Sequence, residues 1–447
     1  MKILAGAIGS DIHTAGILNF LNLAGKEGYE TIYIGSVIGI DKLLDSIEEA
    51  SPDIVAVSYR LGKESCEGLL RELKMSLENR GIEKRLIFGG TVETAEIAKR
   101  SGLFEKVFDG SEMPEEVVMF LRGRTDAKGE VDYPQTLLER ITAKKPYPLI
   151  RHHIGLETVE ATEGAVRNLA ESGLLDIISL APDQNCQQWF FQQENMISSE
   201  DGAGGAPFRT REDFERMYKA SRIGNYPLMR CYSGTRDLLK FSLLFKETIN
   251  NAWAAVPLTW YSQLDGRSDR ELLEAIRDNQ GAIAWNGGSG IPVEINEAHQ
   301  WALRYCHASI EVTTAYLAAL SAKRLGVKVY VAQYMFNTPP GISPRMDLAK
   351  ALAKKELIES LKDENFTPVT MVRPGLMSLP ADPDMARGQL VSSVYTAMKM
   401  DPEIVHVVAY CEATRRASDM EIIESVKMAK QAINEAIKGL PDFKQDK

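Results

Sequence analysis

What most limits the fold of this chain is a regular alternation of short apolar runs with segments of helical period through residues 1–123. The runs "KILAGAI", "TIYIGS", "DIVAVSY", "RLIFGG" and "KVFDG" read as strands, and "ILNFLNLAGKEG", "DKLLDSIEEAS", "KESCEGLLRELKMSLENRG" and "TAEIAKRSG" between them as helices. Strands that alternate with helices form a parallel sheet, so an N-terminal flavodoxin-like, doubly wound α/β domain is expected over 1–123. Such sheets bind ligands outside the carboxyl ends of their strands. Residues 124–145, "GRTDAKGEVDYPQTLLERITAKKPYP" in context, are polar and punctuated by Pro and Gly, and read as a linker with one short helix. Over 146–447 the alternation resumes with "YPLIRHH", "DIISLAP", "YPLMRCYSG", "AWAAVPLT", "GAIAWNGG", "VKVYVAQY", "TPVTMVRPG" and "IVHVVAYCE". Helical stretches such as "SDRELLEAIRD" and "MDLAKALAKKELIESL" separate them, which predicts a (β/α)8 TIM-type barrel; a second open sheet is the alternative.

Composition excludes several classes of function. A chain of 447 residues with 44% hydrophobic and 26% charged residues has material for two or three full cores. A net charge of −10 without Lys/Arg clusters argues against a nucleic-acid partner. "MKILAGAIG" has no basic n-region, and no apolar run reaches membrane-spanning length, so no membrane partner and a cytoplasmic location are expected. Cys66, Cys186, Cys231, Cys306 and Cys411 are scattered without CxxC spacing, which suggests neither a disulfide framework nor a structural zinc site.

One histidine stands at a strand's carboxyl end. In "GAIGSDIHTAGILNF", His13 follows the first apolar run, and on its own a lone histidine there is most often a surface residue. Asp11, two residues before it, can accept the second ring N–H of a metal-bound imidazole. Gly16 leaves room where the next helix begins, and Ser58 and Gly89-Gly90 fall at the same carboxyl edge. Asp11-Ile12-His13-Thr14-Ala15-Gly16 resembles the DxHxxG signature of cobalamin-binding domains, followed in order by the serine and the glycine pair. The resemblance is to adenosylcobalamin-dependent mutases of the glutamate mutase (methylaspartate mutase) type. It implies a base-off cobalamin with His13 as the cobalt ligand and Asp11 orienting it. Ser58 would bond the displaced dimethylbenzimidazole, and Gly16, Leu61, Gly89 and Gly90 would line its place. Arg60 stands where that family has leucine.

The second domain resembles the large barrel subunit of the same family in "YPLMRCYSGTRDLL", "MVRPGLMSLPADPDMARGQL" and "VHVVAYCEATRRASDMEIIESVKMAKQAINEAI". That implies Arg151 and Arg230 as substrate clamps, Tyr261 as a substrate tyrosine and Glu412 as a contact of the adenosyl ribose. The family's third arginine falls in "DQNCQQWFFQQ", which has none, and its amino-binding glutamate is replaced within "INNAWAAV". Each residue also has a plainer reading: arginines paired to helix carboxylates, and Glu412 in an ion pair with Arg415 or Arg416. "CQQWFFQQ" would line the substrate cavity or pack the barrel top, His152-His153 and His299 are polar neighbours, and "WNGGSG" reads as a tight turn beside the corrin. The resemblance implies a fused radical carbon-skeleton mutase acting on a small organic acid other than glutamate, working as a homodimer and served by a reactivating ATPase chaperone. A corrinoid-dependent methyltransferase and a non-catalytic corrinoid carrier are the alternatives.

Overall fold

The computed structural model describes residues 1–112, 114–123 and 133–440, which form two units divided at Asp132/Tyr133. Residues 124–132 of the expected linker and the last seven residues of the expected barrel domain lie outside the described residues. The linker's short helix, Leu137–Lys144, belongs to the second unit, where Leu137 and Ile141 join an apolar core. No described helix is long and apolar enough to cross a membrane.

Unit 1 is a parallel five-stranded sheet of β1 (Lys2–Ala7), β2 (Glu30–Tyr33), β3 (Ile54–Tyr59), β4 (Arg85–Gly90) and β5 (Lys106–Phe108), in the order β2-β1-β3-β4-β5. Its central strands are apolar throughout because both faces are covered. Leu4, Val55, Val57 and Phe88 pack under helices Ile40–Ala50, Lys63–Arg80 and Val92–Ser101. Their neighbours Ile3, Ala5, Ile54, Ala56 and Ile87 point the other way, onto helices Ala15–Lys26 and Pro114–Leu121. The chain therefore leaves β1 toward one face and β3 toward the other, and a crevice opens between their carboxyl ends.

Unit 2 is a parallel barrel of eight strands, β6 (Leu149–Ile154), β7 (Ile177–Leu180), β8 (Leu228–Cys231), β9 (Ala254–Val256), β10 (Val293–Ile295), β11 (Val329–Phe336), β12 (Thr367–Pro374) and β13 (Ile404–His406). A Tyr232–Ala255 bridge brings the two ends of the sheet together. Leu149, Ile177, Leu228, Val331, Val369 and Ile404 fill the lower interior. One expected strand is corrected: "GAIAWNGG" is the end of helix Leu272–Gly288, whose buried Ala282, Ile283, Asn286 and Gly287 repeat with helical period. The fifth strand is instead the three-residue β10, too short to stand out. "WNGGSG" thus leads into the amino end of β10, at the opposite end of the barrel from its carboxyl mouth, and the corrin-facing turn expected there is not found.

Close backbone packing at the mouth depends on a missing side chain. A methyl at Gly155, just after β6, would lie 2.1 Å from the Ala181 carbonyl oxygen. Gly155→Ala is expected to destabilise the barrel by about 1–3 kcal/mol or more, as overpacking against immobile backbone does. A lowered urea midpoint at unchanged slope is the measurement, and an unchanged midpoint would contradict the packing described.

Candidate functional site

The loop after β1 is organised by a buried carboxylate. Asp11 is fully buried; its Oδ1 accepts the His13 backbone N–H at 2.9 Å and lies 2.8 Å from His13 Nδ1, while Oδ2 accepts the Arg60 N–H at 2.7 Å. One side chain thereby ties the β1 loop to the β3 loop and sets the imidazole plane. Nδ1 donates to the carboxylate, so Nε2 is the ring nitrogen left with a lone pair, on a side chain that is 51% exposed.

A cavity of about 580 Å3 opens beside it, with His13, Gly16, Ser58, Arg60, Gly89 and Gly90 in its lining and Ile17, Phe20, Phe88 and Phe108 as apolar wall. Ser58 Oγ is buried there without a hydrogen-bond partner among the described residues. A Cβ at Gly89 would meet nothing within 4 Å, whereas one at Gly90 would lie 2.3 Å from Thr94 Oγ1 and 2.9 Å from the Tyr59 carbonyl oxygen. Gly89 therefore keeps the cavity open and Gly90 keeps the sheet against its helix. Leu61, expected at this site, is 39% exposed and outside the lining; Arg60 takes that place.

In unit 2 the layer above the apolar core is polar. Arg151 on β6 is buried and donates through Nε to Ser179 Oγ (2.7 Å), through one terminal nitrogen to His406 Nδ1 (3.0 Å) and through the other to His153 Nε2 (2.5 Å). Arg230 on β8 is fully buried with one long bond, 3.4 Å to Ser179 Oγ, and its Nε and second terminal nitrogen have no partner. The Trp253 ring lies 5.4 Å from the Arg151 guanidinium and 5.2 Å from that of Arg230, and its indole N–H donates to Glu294 on β10 at 2.7 Å. Burial pushes the Glu294 carboxyl up, against the pull of Arg230 and that indole bond.

Arg373 on β12 also belongs here. Its side chain follows Met371, an Arg151 neighbour, on the inward face, and its Nε is buried without a partner. Among the described residues no carboxylate lies within 4.0 Å of Arg151, Arg230 or Arg373. Burial, then the Arg373 charge, holds His153 and His406 well below the ordinary imidazole range, and His299, bonded to Gln333, falls to about 3. The histidines of this layer are thus neutral.

Tyr261 is buried with φ +62, held by Arg270 donating to its carbonyl oxygen at 2.8 Å and by the Arg267 guanidinium 5.0 Å from its ring; burial pushes its hydroxyl up to about 12. Glu412 follows β13; its Oε1 accepts the Ala409 N–H at 3.1 Å and lies 3.1 Å from His152 Nε2, while Arg415 pairs with Glu421 and Arg416 with Glu157. Burial works to raise the Glu412 carboxyl, but His152, the Ala409 N–H and Arg373 hold it below the usual range.

Of the two readings of the aromatic segment, the contacts of its phenylalanines match packing against the barrel's helices. Phe190 and Phe191 stack against Phe241, with Phe214 and Phe245 behind them, and Trp189 lies under Arg236. Conversely, the sequence reading found Arg151 and Arg230 but passed over Arg373, Glu294, Tyr232 and His406. The same signal was available, an isolated polar residue at an inward position of an apolar run, as in "VTMVRPG" and "IVHVV". Arg373 and Glu294 add a guanidinium and a carboxylate to this layer at positions other than those the family resemblance assigns.

No family model matches the chain. It is similar over 130 residues, 27% of this chain and 83% of the relative, to glutamate mutase sigma subunit 1 of Haloarcula marismortui, at 29% identity. It is 26% identical over 111 residues to D-ornithine 4,5-aminomutase subunit beta of Acetoanaerobium sticklandii, spanning 23% of this chain and only 15% of that protein. A solved cobalamin-binding protein from Desulfitobacterium hafniense DCB-2 aligns with 27% of this chain and 57% of its own at 23% identity and a TM-score of 0.24. The relatives are subunits of mutases, the group that the DxHxxG segment resembles.

Proposed function

We propose that this chain, a relative of the cobalamin-dependent mutases, is an adenosylcobalamin-dependent isomerase in which unit 1 holds the cofactor and the barrel holds a small organic acid. The observation that carries the reading is the Asp11-oriented imidazole at the head of a cavity whose one buried hydroxyl, Ser58 Oγ, has no partner. An unpaired buried hydroxyl costs stability unless a ligand completes it. A flat heteroaromatic with one acceptor nitrogen, such as the dimethylbenzimidazole of cobalamin, suits that hydroxyl, the apolar walls and the opening at Gly89. The residues present therefore fit the group. His13 Nε2 would ligate cobalt, Asp11 would raise its basicity, and Ser58 would hold the displaced base.

Bound adenosylcobalamin supplies a carbon radical able to take a hydrogen atom from a substrate carbon. The barrel's contribution is to bind and orient the acid and to exclude water. The guanidiniums of Arg230 and Arg373 are suited to a carboxylate, because each keeps a buried N–H without an acceptor among the described residues and has no carboxylate of those residues within 4.0 Å. Neutral His153 and His406 add no charge of their own. An acid other than glutamate remains the proposed substrate, and glutamate enters the test as the comparison acid.

The test is anaerobic incubation of the full chain with adenosylcobalamin and a panel of small carboxylic acids. Substrate-dependent appearance of Co(II) together with an isomerised acid is expected. Cycling between methyl-Co(III) and Co(I), or no consumption with any acid, would overturn the reading. Glu412 gives a second measurement: Glu412→Gln is expected to weaken adenosylcobalamin more than methylcobalamin, by about 1–3 kcal/mol for a charge-assisted bond. Equal losses for both would confine Glu412 to holding the Ala409 N–H.

A further inference from the structure

The hydrogen-bond directions around Arg151 determine what Tyr232 can do. A guanidinium only donates, so His153 Nε2, 2.5 Å from an Arg151 terminal nitrogen, must carry a lone pair. In a neutral imidazole the proton is then on Nδ1, and Nδ1 lies 3.3 Å from the Tyr232 oxygen. His153 therefore donates to Tyr232, and the phenol's own proton faces away from it, with no acceptor among the described residues. The same argument places the His406 proton on Nε2, because its Nδ1 accepts from the other terminal nitrogen of Arg151 at 3.0 Å. The His153 ring stacks near both, 4.8 Å from Tyr232 and 4.5 Å from His406, which leaves these directions little freedom.

We propose that Arg151 is a positioning residue rather than a substrate clamp, and that through His153 it turns the Tyr232 hydroxyl into an obligate hydrogen-bond donor for the substrate's carboxylate. Four of the five N–H groups of Arg151 are taken by Ser179, His406, the Met371 sulfur and His153, which leaves one at most for an external anion, too few for a two-point grip on a carboxylate. Tyr232, by contrast, sits two residues after Arg230 on the same inward face, its ring 5.2 Å from that guanidinium. One carboxylate between them would accept from both. The proposal rests on the organic-acid reading of the barrel, but its first measurement needs no ligand.

In the full chain labelled with ¹⁵N-histidine, long-range proton–nitrogen NMR reads the tautomer of each ring. Loss of single signals in His153→Gln and His406→Gln assigns them. The expected result is His153 protonated at Nδ1 and His406 at Nε2, with both becoming tautomer mixtures in Arg151→Met. Finding His153 protonated at Nε2 in the unsubstituted protein would overturn the proposal, whatever the variants do. The second measurement is calorimetric binding of isobutyrate and succinate to the protein without cofactor. Tyr232→Phe is expected to weaken the better of the two probes by roughly 10- to 100-fold, the range of a hydrogen bond to a charged group. Unchanged affinity in Tyr232→Phe would also overturn it. Expected tautomers with no binding of either acid would show instead that the organic-acid reading has failed, taking the donor role of Tyr232 with it.

Discussion

Replacing Arg230 by methionine abolishes turnover of the true substrate while leaving the protein folded. Arg230 is fully buried, holds one 3.4 Å bond to Ser179, and leaves two guanidinium nitrogens unpartnered. Removing a partner of a buried ion pair costs about 3–5 kcal/mol, two to nearly four orders of magnitude in kcat/KM if the substrate carboxylate is that partner. Among the described residues no carboxylate lies within 4.0 Å of Arg230 in the unliganded protein. An apolar chain of similar volume between the Tyr232 and Trp253 rings is then neutral or stabilising, and the melting temperature should hold or rise. Separate measurement of kcat/KM and of thermal unfolding checks both halves. A variant that keeps its activity, or one that loses activity only because it unfolds, would remove Arg230 from the site.

The second large effect is expected at His13. In the Co(II) form of the ¹⁵N-histidine-labelled protein, electron paramagnetic resonance should show one axial histidine nitrogen, and His13→Ala should lose it altogether. Because Asp11 orients the ring and takes its Nδ1 proton, Asp11→Asn should retain the nitrogen coupling but weaken cofactor binding by about 10- to 100-fold, the usual consequence of losing a ligand's supporting carboxylate. Coupling from dimethylbenzimidazole in the unsubstituted protein would show that His13 is not the ligand, and the cavity beside Ser58 would then need another occupant.

How far these residues were legible depended on whether their signal was local. Asp11, His13 and Gly16 lie within six residues of one loop, and the capacity of Asp11 to orient His13 follows from that spacing. The strands of unit 1 were equally plain, since a parallel strand covered on both faces is apolar without interruption. Arg373 was missed although "VTMVRPG" contains it, because a strand-end arginine is ambiguous until its neighbours are known. The aromatic "CQQWFFQQ" left two readings open for a related reason: hydrophobicity demands burial but does not say against what, and here the partners are Phe214 and Phe241, with Phe245 behind them.

Alternation of apolar runs and helical segments was enough by itself to specify two parallel α/β units, the first doubly wound, and to put His13 at a carboxyl edge, because period and strand direction are properties of neighbouring residues; that the second sheet closes into a barrel rather than staying open was decided by the tertiary structure. Barrel closure decided the rest. Arg151 meets His406 across 255 residues, and only the parallel register that sets β13 beside β6 makes them neighbours. Which arginine has most of its donors occupied and which is left with several open is therefore a property of the closed layer. Hydrogen-bond capacity is used up by whatever the fold brings within about 3 Å, and a linear sequence carries no record of that distance.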